Sequence, residues 1–169
     1  MSRVITFSRV FPSYHPRAGE PTHFVEKVLK SLYDPAFLLK PPQEFKTVGG
    51  HDITKLHLKQ PIEVFDPKHH TIRAGHRWKV GDTFSPRVWS GIPYKSKQIT
   101  FALDIEIKQI WDVEFDEDGS LWIFSDNERG PEVVEEVAKN DGLTKDDLFA
   151  WFNKPFTGQI ICWNENINY

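Results

Sequence analysis

Residues 68–97 carry seven lysines or arginines against a single aspartate. Arg73, Arg77, Lys79, Arg87, Lys95 and Lys97 are interleaved there with Trp78, Trp89 and Tyr94. Cationic groups take phosphate and aromatic faces stack on bases, which is how single strands and splayed-out bases are held; each stacked base contributes about 1–3 kcal/mol. A packed core requires no such interleaving. The same stretch encloses a lone hydroxyl, Thr71, inside the short strand signal H-H-T-I-R. Competing structural readings stand beside these. Large aromatics are usually mostly buried, a basic side chain is often only a solvated charge, and a β-branched threonine fills a strand well.

The net charge of −3 conceals segregation along the chain, because residues 104–147 carry fifteen acidic side chains against four basic ones. A local excess of this kind is the footprint of an anion-binding surface, or else of two segments that pack against each other. No apolar run approaches the roughly 18–20 residues of a membrane span, and the opening M-S-R-V-I-T-F-S has no export signal. No membrane association is expected. Cys162 is the only cysteine, in the run I-I-C-W. It reads as a small buried hydrophobe in a reducing compartment, so a cytoplasmic location is expected. The seven histidines show no paired helical spacing, which with one thiol argues against a metal. Phosphate-loop, dinucleotide and nucleophile-elbow motifs are absent from the sequence, so no cofactor is expected. One domain spanning residues 1–169 is expected from the length and from the lack of a linker.

The elements that must position these groups follow from patterning. Residues 3–8 alternate as an opening strand. Thr22 reads as the N-cap of a helix running to about Tyr33, since Phe24, Val25, Val28, Leu29 and Leu32 recur at helical spacing. Residues 34–67 are rich in proline and read as an irregular excursion with one short helix and one strand, alternation being brief around Ile53 to Leu58. His69 to Arg73 reads as a strand and Val80-Gly81-Asp82 as a turn into T-F-S-P-R-V-W. Pro86 there points to an edge or a bulge. Alternation from Ile99 to Ile107, resumed at Trp111, Val113 and Phe115, predicts a long half-buried strand. Asp118-Gly119 turns it into L-W-I-F. Pro131 opens a helix that stops at Asp141-Gly142, Thr144 with Asp147 caps the next, and T-G-Q-I-I-C-W-N returns to the sheet.

At K-H-H-T-I-R, R-W-K-V-G-D and the later D-G-L-T-K-D-D-L-F-A-W-F, in that order, the chain resembles the ASCH family of the PUA-like superfamily. The resemblance covers Lys68 to Trp163 with the opening strand and first helix. It implies an α+β fold, a mainly antiparallel PUA-like β-barrel with flanking helices, in which residues 34–67 are an insertion. It also implies a cleft around residues 68–97 that receives nucleic acid or a modified nucleoside, RNA favoured over DNA. Arg73, Arg77, Lys79 and Lys97 would contact phosphates, and Trp78, Trp89 or Tyr94 would stack a base. Some members look like amidohydrolases that deacylate a modified cytidine with a lysine, a threonine and a glutamate. Carried over, these fall on Lys68, Thr71 and Asp141, with aspartate one methylene short of the family's glutamate. In that chemistry a lysine that loses its proton easily activates the weak threonine hydroxyl, and the acid orients a partner or shuttles the proton. Positions 68 and 71 face opposite sides of a regular strand, so a shared site requires a bend at Lys68, which Pro67 favours. A third reading is a non-enzymatic module whose acidic face binds a protein partner.

Overall fold

The computed structural model describes residues 3–32, 47–48, 51–52, 64–125 and 130–169. Two four-stranded sheets carry the fold. In the first, β1 (Arg3–Thr6) runs parallel to β5 (Thr83–Trp89), with Ile5 opposite Pro86. The other side of β5 is met by two short antiparallel strands, β6 (Gln98–Thr100) and β7 (Ile105–Glu106). In the second sheet the order is β4 (His70–Ala74), β10 (Phe156–Cys162), β8 (Gln109–Phe115) and β9 (Leu121–Phe124), all antiparallel. A small pair, β2 (Thr47–Val48) with β3 (His51–Asp52), is all that is described of the excursion before Val64; the expected alternation around Ile53 to Leu58 lies outside the described residues. The class is α+β with antiparallel pairing dominant, and the described strands form open sheets without a closed barrel.

Two features differ from the sequence expectation. The long strand from Ile99 to Phe115 is three strands: β6 and β7 belong to the first sheet and β8 to the second. Leu103, at an in-facing parity, is instead half exposed. The break lies opposite Pro86, between the registers Arg87↔Thr100 and Phe84↔Ile105. A proline has no N–H to donate, so a central strand keeps it only where its neighbour interrupts the ladder. Pro86 therefore marks a bulge and not an edge. The first helix, α1 (Phe24–Leu32), starts later than expected; Thr22 Oγ1 nevertheless accepts a bond of 3.3 Å from the Phe24 amide.

A 3₁₀ turn at Pro131–Val133 leads into α2 (Val134–Asn140), and Gly142, at φ +76°, closes it in the left-handed region that glycine adopts freely. The cap of α3 (Lys145–Trp151) is Thr144, whose hydroxyl accepts from the Asp147 amide at 3.1 Å. The parity of β10 divides the core. Ile161 faces Phe7, Val28, Phe84 and Trp163, while Ile160 and Cys162 face Val113, Phe115, Val137 and Leu148. No helix among the described residues is long and apolar enough to cross a membrane.

The pairing of β10 with β4 is unusually close at Gly158. A Cβ there would sit 2.1 Å from the Arg73 carbonyl oxygen. Gly158→Ala is expected to be destabilising at the upper end of the about 1–3 kcal/mol that overpacking costs, because backbone cannot step aside as a side chain does. Thermal unfolding of the variant checks this.

Candidate functional site

β1 and β4 are edge strands of their respective sheets, and a cavity of about 210 Å³ lies where they approach. Thr6, Phe7 and Ser8 line one side and Thr71 and Arg73 the other. Phe24 from α1, Trp151 and Phe152 from the end of α3, Trp89 from the end of β5 and Tyr94 from the β5–β6 loop add to the walls. Thr71 and Arg73 share a parity on β4, so both leave the same face of the strand. Arg73 is anchored by a 2.7 Å bond from a guanidinium nitrogen to the Thr6 carbonyl. Its Nε is buried without a partner among the described residues. Burial lowers the Arg73 pKa to about 10, and the group is cationic at neutral pH.

Lys68 precedes the strand and is held by backbone bonds on both sides. Its amide donates to Lys27 O at 3.0 Å and the His69 amide donates to Asn140 O at 2.8 Å. This irregular segment supplies the bend that brings Lys68 to the cavity with Thr71. Lys68 is 1% exposed, and its ammonium donates to Asp141 Oδ1 at 2.7 Å and to the Asp141 carbonyl. The Phe24 ring lies 4.4 Å from Nζ, a cation–π contact. Burial lowers the Lys68 pKa to about 8, although Asp141 acts in the opposite sense. For Asp141, burial favours the neutral acid, but Lys68 and then His70 outweigh it and hold the carboxyl below its ordinary range. The shorter side chain of aspartate therefore reaches its lysine. Among the described residues no hydrogen bond joins Thr71 to either group.

His70 and Tyr169 were not legible as site residues. His70 leaves the opposite face of β4, its Nδ1 3.3 Å from Asp141 Oδ1 and its Nε2 2.8 Å from the Tyr169 hydroxyl. The Asn140 side-chain Nδ2 donates to the same hydroxyl at 2.9 Å. Burial lowers the His70 pKa, so the ring is neutral at pH 7; its Nδ1 faces Asp141 without making a hydrogen bond of good geometry.

The structure thus gathers Lys68, Thr71, Arg73, Trp89, Tyr94 and Asp141 around one cavity. The expectation for Trp78 is corrected. It is 2% exposed in the first core, its backbone is clamped by two bonds to the Gln159 side chain, and the Arg3 guanidinium covers its ring at 4.3 Å. No face remains for a base. Arg77, Lys79 and Lys97 are exposed but do not line the cavity. Arg77 is drawn instead towards the Trp78 ring, at 5.6 Å. Tyr94 is 89% exposed, at φ +63°, with its ring centroid 5.3 Å from that of Trp89. A left-handed conformation is costly for a tyrosine and is retained where surroundings or function demand it. No group of histidine, cysteine and carboxylate side chains among the described residues is arranged to hold a metal ion.

Searches against protein-family models, curated proteins and solved structures found no match for the chain.

Proposed function

We propose that the chain is an ASCH-type, PUA-like protein that holds one nucleobase, plain or modified and RNA-borne in preference to DNA-borne, in the cavity between β1 and β4. The observation that carries this reading is the meeting of aromatic walls with a fixed set of donors and acceptors in a small cavity. Its volume is below the roughly 300–1,000 Å³ of sites for drug-sized ligands, a scale that suits one base. Trp89 and Tyr94 offer rings for stacking, the Arg73 guanidinium offers donors to a carbonyl or phosphate oxygen, and Asp141 offers an acceptor for an exocyclic amine.

The test is equilibrium binding of cytidine, N4-acetylcytidine and a single-stranded RNA hexamer at low salt, with Trp89→Ala beside the wild type. The variant is expected to lose about 1–3 kcal/mol of affinity, roughly five- to hundredfold. Undetectable binding of all three ligands by the wild type would overturn the reading.

A second reading, deacylation of the modified nucleoside, is favoured by Lys68 having its pKa near 8 in the cavity that Thr71 lines. About a tenth of such a lysine is neutral at pH 7, enough to act as a base. Thr71 Oγ would attack the acyl carbonyl while Lys68 takes its proton, the base amine would leave with that proton, and water would release the acid from Thr71. Mass spectrometry of N4-acetylcytidine turnover decides between the readings. Loss of the acetyl mass with wild type but not with Thr71→Ala supports catalysis; retention of intact ligand by both proteins leaves a binder.

A further inference from the structure

A second cavity, of about 300 Å³, lies on the far side of the Asp141–Gly142 turn. Adjacent residues divide the two spaces between them. Phe24 and Asp141 line the first, while His23 and Gly142 line the second. The turn is pinched between two lysines, since a Cβ at Gly142 would come within 3.1 Å of the Lys27 stem and 3.3 Å of the Lys68 stem. The two cavities are thus neighbours, divided by a turn whose two residues are buried.

The lining carries three cations, Arg17, Lys27 and Lys139, against two carboxylates, Asp66 and Asp147. Arg17 is satisfied by Glu20 at 2.7 Å and Asp147 at 2.8 Å. The buried His15 lies 3.7 Å from the other Asp147 oxygen, and His23 lies 3.5 Å from Glu26. Two of the three cations have no carboxylate at ion-pair distance among the described residues. Lys27 is half-buried, donates one bond of 2.6 Å to the Gly142 carbonyl, and has no carboxylate at ion-pair distance among the described residues. Lys139 is exposed on the same cavity and has no ion pair among them either. Asp66, the remaining carboxylate of the lining, is exposed. His23 contributes a further sign of a worked site: it is held at φ +57°, with its ring stacked on Phe65 at 4.6 Å. Left-handed strain in a residue other than glycine clusters at ligand-binding positions.

We propose that this second cavity is a phosphate subsite in which Lys27 and Lys139 take the phosphodiester that flanks the base in the first cavity. The inference rests on the nucleobase reading and narrows it, because it makes a strand, and not a free nucleoside, the preferred ligand. Lys27 would supply its two remaining ammonium donors, and Lys139 would close over the anion from the surface.

The test uses the full chain. Amide resonances of Lys27, Lys139 and Gly142 are followed by NMR as inorganic phosphate is added, and binding of cytidine and of a single-stranded RNA hexamer is measured across salt concentrations. Inorganic phosphate is expected to shift the three amides. In Lys27→Gln/Lys139→Gln, the slope of log affinity against log salt for the hexamer is expected to become shallower by about 1.4, from two contacts at about 0.7 each, with cytidine affinity unchanged. Lys139→Gln alone, a surface change that leaves packing intact, is expected to remove about 0.7. An unchanged slope in both variants overturns the proposal, even where inorganic phosphate moves the amides, since the cavity then takes a free anion and not a strand. Conversely, slopes that fall as expected while cytidine fails to bind either protein uphold the subsite and remove the base cavity.

Discussion

Asp141→Ala is expected to lower the free energy of unfolding by about 3–5 kcal/mol at pH 7, the largest loss from any single side-chain truncation at the site. The variant leaves the ammonium of Lys68, 1% exposed, with only a backbone carbonyl and the face of Phe24. It also removes the carboxylate beside the buried His70 ring. The cost is that of an orphaned buried charge and not the net worth of the pair. Lys68→Met/Asp141→Leu, which removes both charges, should therefore recover most of the loss, because apolar replacement of a buried pair is often neutral. On the proposed nucleobase reading, the double variant should not regain binding. Urea unfolding of the three proteins checks this; a loss under about 1 kcal/mol in Asp141→Ala would mean that Lys68 relaxes to solvent at little cost.

The second large effect is on the alkaline side. Lys68 has a pKa of about 8 when folded against 10.5 for the free group. Between those values the unfolded chain binds more protons than the folded one, so stability from this residue rises with pH across that window, by about 3 kcal/mol in total. Burial lowers the Lys27 pKa, which acts in the same direction. Cys162 and Tyr169 act against it. Burial raises the thiol from 9.0 to about 11 and raises the phenol as well, so both lose stability as pH climbs past their unfolded values. The raw curve is consequently flattened, and the informative quantity is the stability of wild type minus that of Lys68→Met. That difference is expected to grow by about 3 kcal/mol from pH 8 to pH 10.5. A flat difference would show that Lys68 titrates as it does in water. On the acid side the sign reverses. The depressed pKa of Asp141 gives stability that is complete above its unfolded value and is lost as pH falls through its folded one.

The parts of this architecture that could be read from sequence are those governed by local rules. The Gly142 stop of α2, the Thr144 cap of α3 and the β8–β9 hairpin at Gly119 depend on a few neighbouring residues, and each is in place. What alternation could not show is where a strand changes sheets. Ile99 to Phe115 keep one parity through a break that depends on Pro86, thirteen residues upstream of Ile99. Site residues divide in the same way. Lys68, Thr71 and Asp141 are reached through the motif order on which the ASCH resemblance rests, and Arg73 through its place in the basic stretch. Trp78 and Trp89 looked alike in sequence, and only the remote Gln159 and Arg3 decide that the first is core while the second borders the cavity. Phe24 and Trp151 carried ordinary helical spacing, which does not tell a wall from a core. His70 and Tyr169 meet across 99 residues, more than half of the chain, a distance no local pattern spans.

The position of β10 between β4 and β8 has a consequence for the order in which the chain acquires its function. Ile72 has no sheet partner until Ile160 has been made, and Lys68 no counter-charge until Asp141 has. A chain still emerging from the ribosome would expose β4 as an unpaired edge, with a basic segment and no acidic one to offset it. Non-local pairings of this sort are slow to form and prone to misassembly while they wait. On the nucleobase reading proposed above, affinity should thus arise abruptly when β10 inserts, and a product truncated before it should be inert as well as unstable.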